Sequence, residues 1–145
     1  DSLLEVMKTK QKDLSQAHGY RPIFIKISPD ESSDNLKEIC NSILINNLDG
    51  IICSNTTINH SDPNGSGGLS GSPLKERATD MLIQVRKLIG DKIPIIASGG
   101  VMTSEDYLEK INAGADLVQL YTGFIFEGPK LIDDIVNLDS RTRST

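Results

Sequence analysis

The sequence predicts a parallel α/β fold, and three observations carry that prediction. Short apolar runs bounded by Pro or Gly, such as Ile93-Pro94-Ile95-Ile96-Ala97-Ser98, read as strands buried on both faces of a parallel sheet. Longer stretches with apolar residues every three or four positions read as amphipathic helices, and the two kinds alternate along the chain. The last two apolar runs each end in small or hydroxyl residues, Ser98-Gly99-Gly100 and Tyr121-Thr122-Gly123. Such ends let a ligand approach the backbone where a Cβ would stand in the way.

The first helix covers residues 2–18 and stops at Gly19. Pro22 introduces a strand over residues 23–28, which Pro29 closes. Ser32 is a suitable N-cap for a helix with Leu36, Ile39, Cys40, Ile43 and Leu44 on one face, ended by Asn46-Asn47. A second strand spans residues 48–54, and a polar loop rich in Gly, Ser and Asn follows to Ser72. Ser72-Pro73 opens the next helix, with Pro at its first position. Its expected buried stripe is Leu74, Ala78, Met81, Leu82, Val85, Leu88 and Ile89, and Gly90 ends it. The third strand covers residues 93–98. Thr103-Ser104-Glu105-Asp106 is a capping-box start for a helix that ends at Gly114. The fourth strand covers residues 117–121. A last helix starts at Gly128-Pro129 and carries Leu131, Ile132, Ile135 and Val136, and residues 140–145 form a polar, frayed tail. One helix followed by four β-α units fits a barrel or a doubly wound sheet. Because the alternation carries straight across the Gly/Ser loop, that loop is no domain boundary.

Bulk composition narrows the functional classes. At 145 residues the chain holds one domain at most. With 37% hydrophobic and 24% charged residues it is a folded segment and not a disordered one. A net charge of −5 argues against a nucleic-acid partner. No apolar run approaches the roughly 20 residues of a membrane span. No signal or targeting segment stands at the start, where the chain opens inside an amphipathic pattern as if cut from a longer one. Cys40 and Cys53 share no metal or redox spacing and read as small core residues.

Two small-residue strand ends, one β-α-β unit apart, present paired clusters of free N–H groups. In (β/α)₈ barrels a phosphate site falls after the seventh and eighth strands. Ser98-Gly99-Gly100 and Tyr121-Thr122-Gly123 are therefore read as two halves of one phosphate cradle. Lys26 stands in an otherwise apolar strand, on one face with Phe24 and Ser28, and is expected to be partly buried beside an anion, the alternative being a lysine that reaches solvent at the rim. At ~4 Å and an effective dielectric near ~20 such a pair interacts by about 4 kcal/mol. Asn55-Thr56-Thr57 directly follows the second strand, where amides and hydroxyls can bind a polar ring on several edges or simply form an Asx turn. Gly65-Ser66-Gly67-Gly68-Leu69-Ser70-Gly71 lacks the lysine of a P-loop and reads as an anion-binding backbone loop. His60-Ser61-Asp62 cannot make a catalytic relay, because adjacent loop residues lack the geometry. The sequon matches at Asn55-Thr56-Thr57, Asn59-His60-Ser61 and Asn64-Gly65-Ser66 have no secretory signal to give them meaning.

Together these pieces resemble the class 2 dihydroorotate dehydrogenases, the quinone-linked flavoenzymes of pyrimidine synthesis. The resemblance runs from about Pro22 to about Asn137. It rests on Ile25-Lys26-Ile27-Ser28-Pro29-Asp30, Ser54-Asn55-Thr56-Thr57, Gly67-Gly68-Leu69-Ser70-Gly71, Ile93-Pro94-Ile95-Ile96-Ala97-Ser98-Gly99-Gly100 and the segment from Leu117 through Pro129. It implies the C-terminal half, about strands five to eight, of a TIM (β/α)₈ barrel, with residues 1–145 forming half of a single flavin-binding domain. It further implies FMN as cofactor, with Lys26 at the polar edge of the isoalloxazine and Ser54 where the family commonly has a flavin-contacting Thr. Gly71, Gly100, Tyr121 and Thr122 would bind FMN, chiefly its phosphate, and Asn55 and Thr56 would hydrogen-bond dihydroorotate or orotate. No position matches the family's catalytic base, a serine on an earlier loop. The N-terminal half of the barrel and the helices that take quinone at the membrane would likewise lie upstream. A quinone-linked enzyme implies the mitochondrial inner membrane in a eukaryote, or the cytoplasmic membrane in a bacterium.

Two other readings fit the same residues. One is a barrel that holds a nucleotide or sugar phosphate without a flavin, and the other is a non-catalytic half-barrel. Four strands alone would leave two open edges and an uncovered inward face.

Overall fold

A computed structural model describes residues 2–61, 65 and 67–142 of the chain. Its elements are α1 (Ser2–His18), β1 (Phe24–Ile27), α2 (Ser33–Ile45), β2 (Gly50–Cys53), a 3₁₀ turn (Ser72–Leu74) leading into α3 (Lys75–Ile89), β3 (Ile95–Ser98), α4 (Ser104–Asn112), β4 (Leu117–Gln119), α5 (Thr122–Glu127) and α6 (Lys130–Thr142). The four strands form one sheet in the order β1-β2-β3-β4, and every pairing is parallel.

Local chemistry explains where the helices start and stop. Ser32 Oγ accepts from Asn35 N–H at 3.2 Å and caps α2. Asn47, at φ 52°, turns the chain away from it, a conformation asparagine tolerates better than most residues. At α4 the capping box is complete: Asp106 N–H donates to Thr103 Oγ1 at 3.2 Å, and Thr103 N–H to Asp106 Oδ2 at 3.0 Å. Pro73 lies in the 3₁₀ turn that precedes α3, so the helix begins one turn later than the proline suggests.

The register divides the sheet into two unlike faces. Ile27, Cys53 and Ala97 stand on one face, paired across the strands, as do Ile51 and Ile95. All five are buried and belong to the core, with Leu36, Cys40 and Ile43 of α2 and Met81, Leu82, Val85 and Ile89 of α3. Both cysteines are free and buried there, and burial pushes the Cys53 thiol up to about 12. The other face carries Lys26, Ile52, Ile96, Leu117 and Gln119, and contributes nothing to the buried core. This corrects the expectation of strands buried on both sides. The apolar runs are real, but among the described residues only one face has helices packed on it.

Further corrections concern element ends and faces. The strands are shorter than their apolar runs, because residues such as Ile93 and Tyr121 lie beyond the last parallel pairings. Leu88 is 38% exposed. It lies at the margin of the α3 stripe, roughly 70° from its centre at ~3.6 residues per turn. On α6, Leu131 and Ile135 are buried while Ile132 and Val136 are exposed on the helix's flank. Helix α5 was not foreseen: Thr122-Gly123-Phe124-Ile125-Phe126 has β-branched and aromatic residues without helical spacing, and most of its large side chains are exposed. Residues 140–142 continue α6, and the rest of the expected frayed tail lies outside the described residues.

At the amino ends of the strands, carboxylates tie the backbone together. Asp49 accepts from Ile23 N–H at 2.7 Å and from Gln11 Nε2 at 3.0 Å. Asp116 accepts from Ile95 N–H at 2.8 Å and from Arg86 Nη2 at 2.5 Å. At the carboxyl ends of the strands a cavity opens.

Candidate functional site

A cavity of about 270 Å³ lies at the carboxyl ends of the four strands. All eight residues singled out in the sequence line it: Lys26 from β1, Ser54, Asn55 and Thr56 after β2, Gly71 before α3, Gly100 after β3, and Tyr121 and Thr122 after β4. Ligand sites in parallel α/β folds collect at this end, where loops from successive strands converge.

The two halves of the expected cradle are in backbone contact. A Cβ placed on Gly123 would lie 2.1 Å from the Val101 carbonyl oxygen, so only glycine allows the β4 loop to rest on the β3 loop. Gly100 has φ +75°, and a Cβ there would lie 2.2 Å from the Lys75 Cα. It seats the β3 loop against the start of α3. Among the described residues, the N–H groups of Gly100, Thr122 and Gly123 donate to no backbone carbonyl of the chain. Thr122 and Gly123 open α5, whose N-cap Tyr121 supplies no side-chain cap. Helix-start N–H groups of this kind are free to meet an anion. Thr122 Oγ1 also donates to Ser70 Oγ at 3.0 Å, which joins the β4 loop to the loop before α3.

The β2 end is built differently. Ser54 is buried, and its N–H donates to the Ser98 carbonyl at 2.8 Å. Its Oγ donates to the Asn55 carbonyl at 3.0 Å, and Asn55 N–H donates to the Ile27 carbonyl at 2.8 Å. The Asn55 side chain is exposed and that of Thr56 half-buried, both on the cavity. Gly68 makes room for Thr56: a Cβ there would fall 2.0 Å from Thr56 Oγ1. Within the Gly/Ser loop, Ser70 and Gly71 reach the cavity and Leu69 pairs with Thr57. Asp62, Asn64 and Ser66, and with them the last of the three sequon matches and the full triad, lie outside the described residues.

Lys26 differs from its expected burial. Its side chain is exposed on the uncovered sheet face, because no described element stands opposite it. Sequence reasoning gave no site role to Leu74, Val101 and Gln119, which also line the cavity. Strand parity reveals Gln119: it pairs with Ser98, on the face that carries Lys26. Leu74 and Val101 gave no such signal, being apolar residues in turns. Among the described residues there is no cluster of side chains with metal-ligating composition.

Known proteins match both the sequence and the fold. The dihydroorotate dehydrogenase family profile matches residues 2–139. The dihydroorotate dehydrogenase (quinone) of Vibrio parahaemolyticus is 46% identical over 143 residues, which cover 94% of this chain and 43% of that protein. The protein of the same name in Shewanella sediminis is also 46% identical, over 94% of this chain and 42% of its own length. The crystal structure of DHODH from Eimeria tenella in complex with ferulenol superposes with a TM-score of 0.84 at 32% identity, covering 92% of this chain and 41% of that one. The chain thus spans less than half the length of the relatives it matches, consistent with part of a barrel. With a family match across nearly all its residues and a sheet that superposes on a solved member, the chain belongs to the dihydroorotate dehydrogenase family.

Proposed function

We propose that the chain is the C-terminal half, about strands five to eight, of a single flavin-binding (β/α)₈ barrel, without internal boundary. In the full-length protein it serves the oxidation of dihydroorotate to orotate in pyrimidine synthesis, with FMN as cofactor and a quinone as final acceptor. One observation carries the reading: eight residues, spread over nearly 100 positions of sequence, line one cavity whose two phosphate-side loops touch through Gly123 and Val101. When bound, FMN supplies the ring that accepts hydride from the substrate.

The chain's own residues have separable tasks. Free N–H groups at Gly100 and at the start of α5, with the Thr122 hydroxyl, hold the phosphate, and Gly71 and Tyr121 border it. Lys26 sets a positive charge at the ring's polar edge, where reduction builds negative charge. Ser54 stands beside the same edge. The Asn55 amide and Thr56 hydroxyl hold dihydroorotate by its polar edges against the ring. The base that takes the carbon-bound proton comes from the N-terminal half of the barrel, as does the quinone site. Association with a membrane follows from the quinone, at the mitochondrial inner membrane in a eukaryote or the cytoplasmic membrane in a bacterium. No described helix here is long and apolar enough to cross one.

The purified full-length protein should be yellow, with flavin absorption bands. Lys26→Ala should lower flavin retention or the rate of flavin reduction by at least tenfold, about 1.4 kcal/mol or more. A colourless parent protein would favour a phosphate-binding barrel without flavin. Unchanged orotate formation by the variant would remove Lys26 from its role.

A further inference from the structure

The β2 loop is held by a polar network that lies wholly outside the cavity. Thr57 is 4% exposed, and its Oγ1 has three partners. It donates to Asp30 Oδ1 at 2.5 Å, and accepts from Arg77 Nη1 at 2.9 Å and from Asn59 N–H at 3.1 Å. Asp30 Oδ2 accepts from Ile58 N–H at 2.8 Å, and Arg77 Nη1 also pairs with Asp30 Oδ1. Thr57 bonds Leu69 through both backbone groups, N–H to carbonyl at 3.2 Å and the reverse at 2.7 Å. None of Asp30, Thr57 and Arg77 lines the cavity.

These bonds leave the neighbouring residues little freedom. Asn55 is tied through its N–H to the end of β1, and Thr57 and Ile58 are tied to Asp30. Thr56, between the two anchors, faces the cavity while Thr57 faces the network. The Thr57–Leu69 bridge also brings Gly68 against Thr56 Oγ1. Three segments therefore fix one pair of side chains: the β1 loop through Asp30, the Gly/Ser loop through Leu69, and α3 through Arg77.

We propose that Asp30, Thr57 and Arg77 are positioning residues which hold Asn55 and Thr56 at the geometry needed to bind the substrate, without touching the substrate themselves. This rests on the functional reading above. Side chains that bind a small polar ring act at hydrogen-bond range, so displacing them weakens substrate binding while leaving the distant phosphate cradle intact.

The test uses the full-length enzyme. Thr57→Val keeps the shape and removes the hydroxyl, Thr57→Ser restores the hydroxyl, and Arg77→Lys keeps the charge without the fork. Orotate affinity for the oxidised enzyme, KM for dihydroorotate, kcat, flavin content and Tm are measured on each. Thr57→Val should weaken orotate binding and raise KM by about tenfold, the scale of one or two hydrogen bonds, with flavin content unchanged and kcat less affected. Thr57→Ser should return both to within about threefold of the parent, by the same measure. If Thr57→Val does not fold, Arg77→Lys carries the test and should raise KM by roughly threefold or more, the weaker end of that scale. Variants that bind orotate like an active parent overturn the network's role. So do variants that lose flavin in step with orotate, since that marks a general structural effect. A parent that holds no flavin and forms no orotate overturns the functional reading itself, and with it the ligand assigned here.

Discussion

Gly123 and Gly100 are the residues on which the cradle's geometry depends. Each stands where a backbone atom of a neighbouring loop or helix occupies the space of a Cβ. Gly123→Ala in the full-length protein should force the β4 loop off Val101. We expect a loss of roughly 1–3 kcal/mol of stability, as for overpacking in a tight core, together with at least tenfold weaker flavin binding, read by flavin content and by titration of the apoprotein. Equal flavin affinity in the variant would mean that contact between the loops is irrelevant to the ligand. The glycines were legible as small residues at strand ends, but their reasons were not. Which atom each glycine accommodates depends on loops separated by twenty or more positions. Asp30 shows the same limit. Burial pushes its carboxyl up, but hydrogen bonds from Thr57 and Ile58 N–H and the Arg77 guanidinium outweigh this and hold it below the usual carboxylate range. In the sequence it is only the last residue of a strand motif.

Elements were readable wherever termination chemistry is local. The Ser32 cap, the Thr103/Asp106 box and the Asn46-Asn47 stop each act within a few residues, so the sequence displays them. The seam between α3 and α4 is a different matter. Lys110 is 1% exposed, and its Nζ donates to the Lys75 carbonyl at 3.1 Å and to Thr79 Oγ1. Lys75 in turn pairs with Asp106 at 2.5 Å and Glu109 at 2.9 Å. Burial pushes the Lys110 amine down to about 8, with the Glu109 carboxylate working against that shift and the Lys75 ammonium with it. Its unfolded value is 10.5. Between these values the unfolded chain binds more protons than the folded one, so Lys110 makes stability rise with pH. Below about 8 its full cost is present. Lys75 does not offset this, because hydrogen bonds from its ammonium to Asp106 and Glu109 raise its pKa, and its contribution fades only above 10.5. Denaturant unfolding of the full-length protein and of Lys110→Met at pH 7.5 and pH 9 isolates the effect. The parent should gain about 1 kcal/mol relative to the variant over that interval. A difference that does not change with pH would show that the lysine is not held in a desolvated seam.

On the scale of the whole molecule, the sheet is finished on one side only. β1 and β4 each have a single strand neighbour among the described residues, and the face bearing Lys26, Ile52, Ile96 and Leu117 lies outside the core. Leu117 is 60% exposed, and Phe124, Ile125 and Phe126 of α5 are exposed as well. Open edges and exposed apolar surface of this kind invite association. Residues 1–145 produced alone should therefore self-associate or unfold without a sharp transition, and should become soluble and monomeric in complex when co-produced with the remainder of the barrel. Size-exclusion chromatography with light scattering and a thermal melt would decide it. A monomeric, cooperative transition for the isolated segment would contradict the expectation.

The sequence by itself determined the alternation of helix and strand, the caps and stops and the helix-facing core stripe, each of which depends on spacing along the chain or on hydrogen bonds within one turn of it. The eight residues that meet at one end of the sheet were picked out as a set by the resemblance to a known family. Only the tertiary structure decided that one sheet face stays uncovered, that Lys26 is exposed, that α5 forms at the β4 end, and that Asp30, Thr57 and Arg77 close on one another. Those outcomes depend on which distant segments share a space, and burial and polar pairing between them leave no periodicity for a sequence to show.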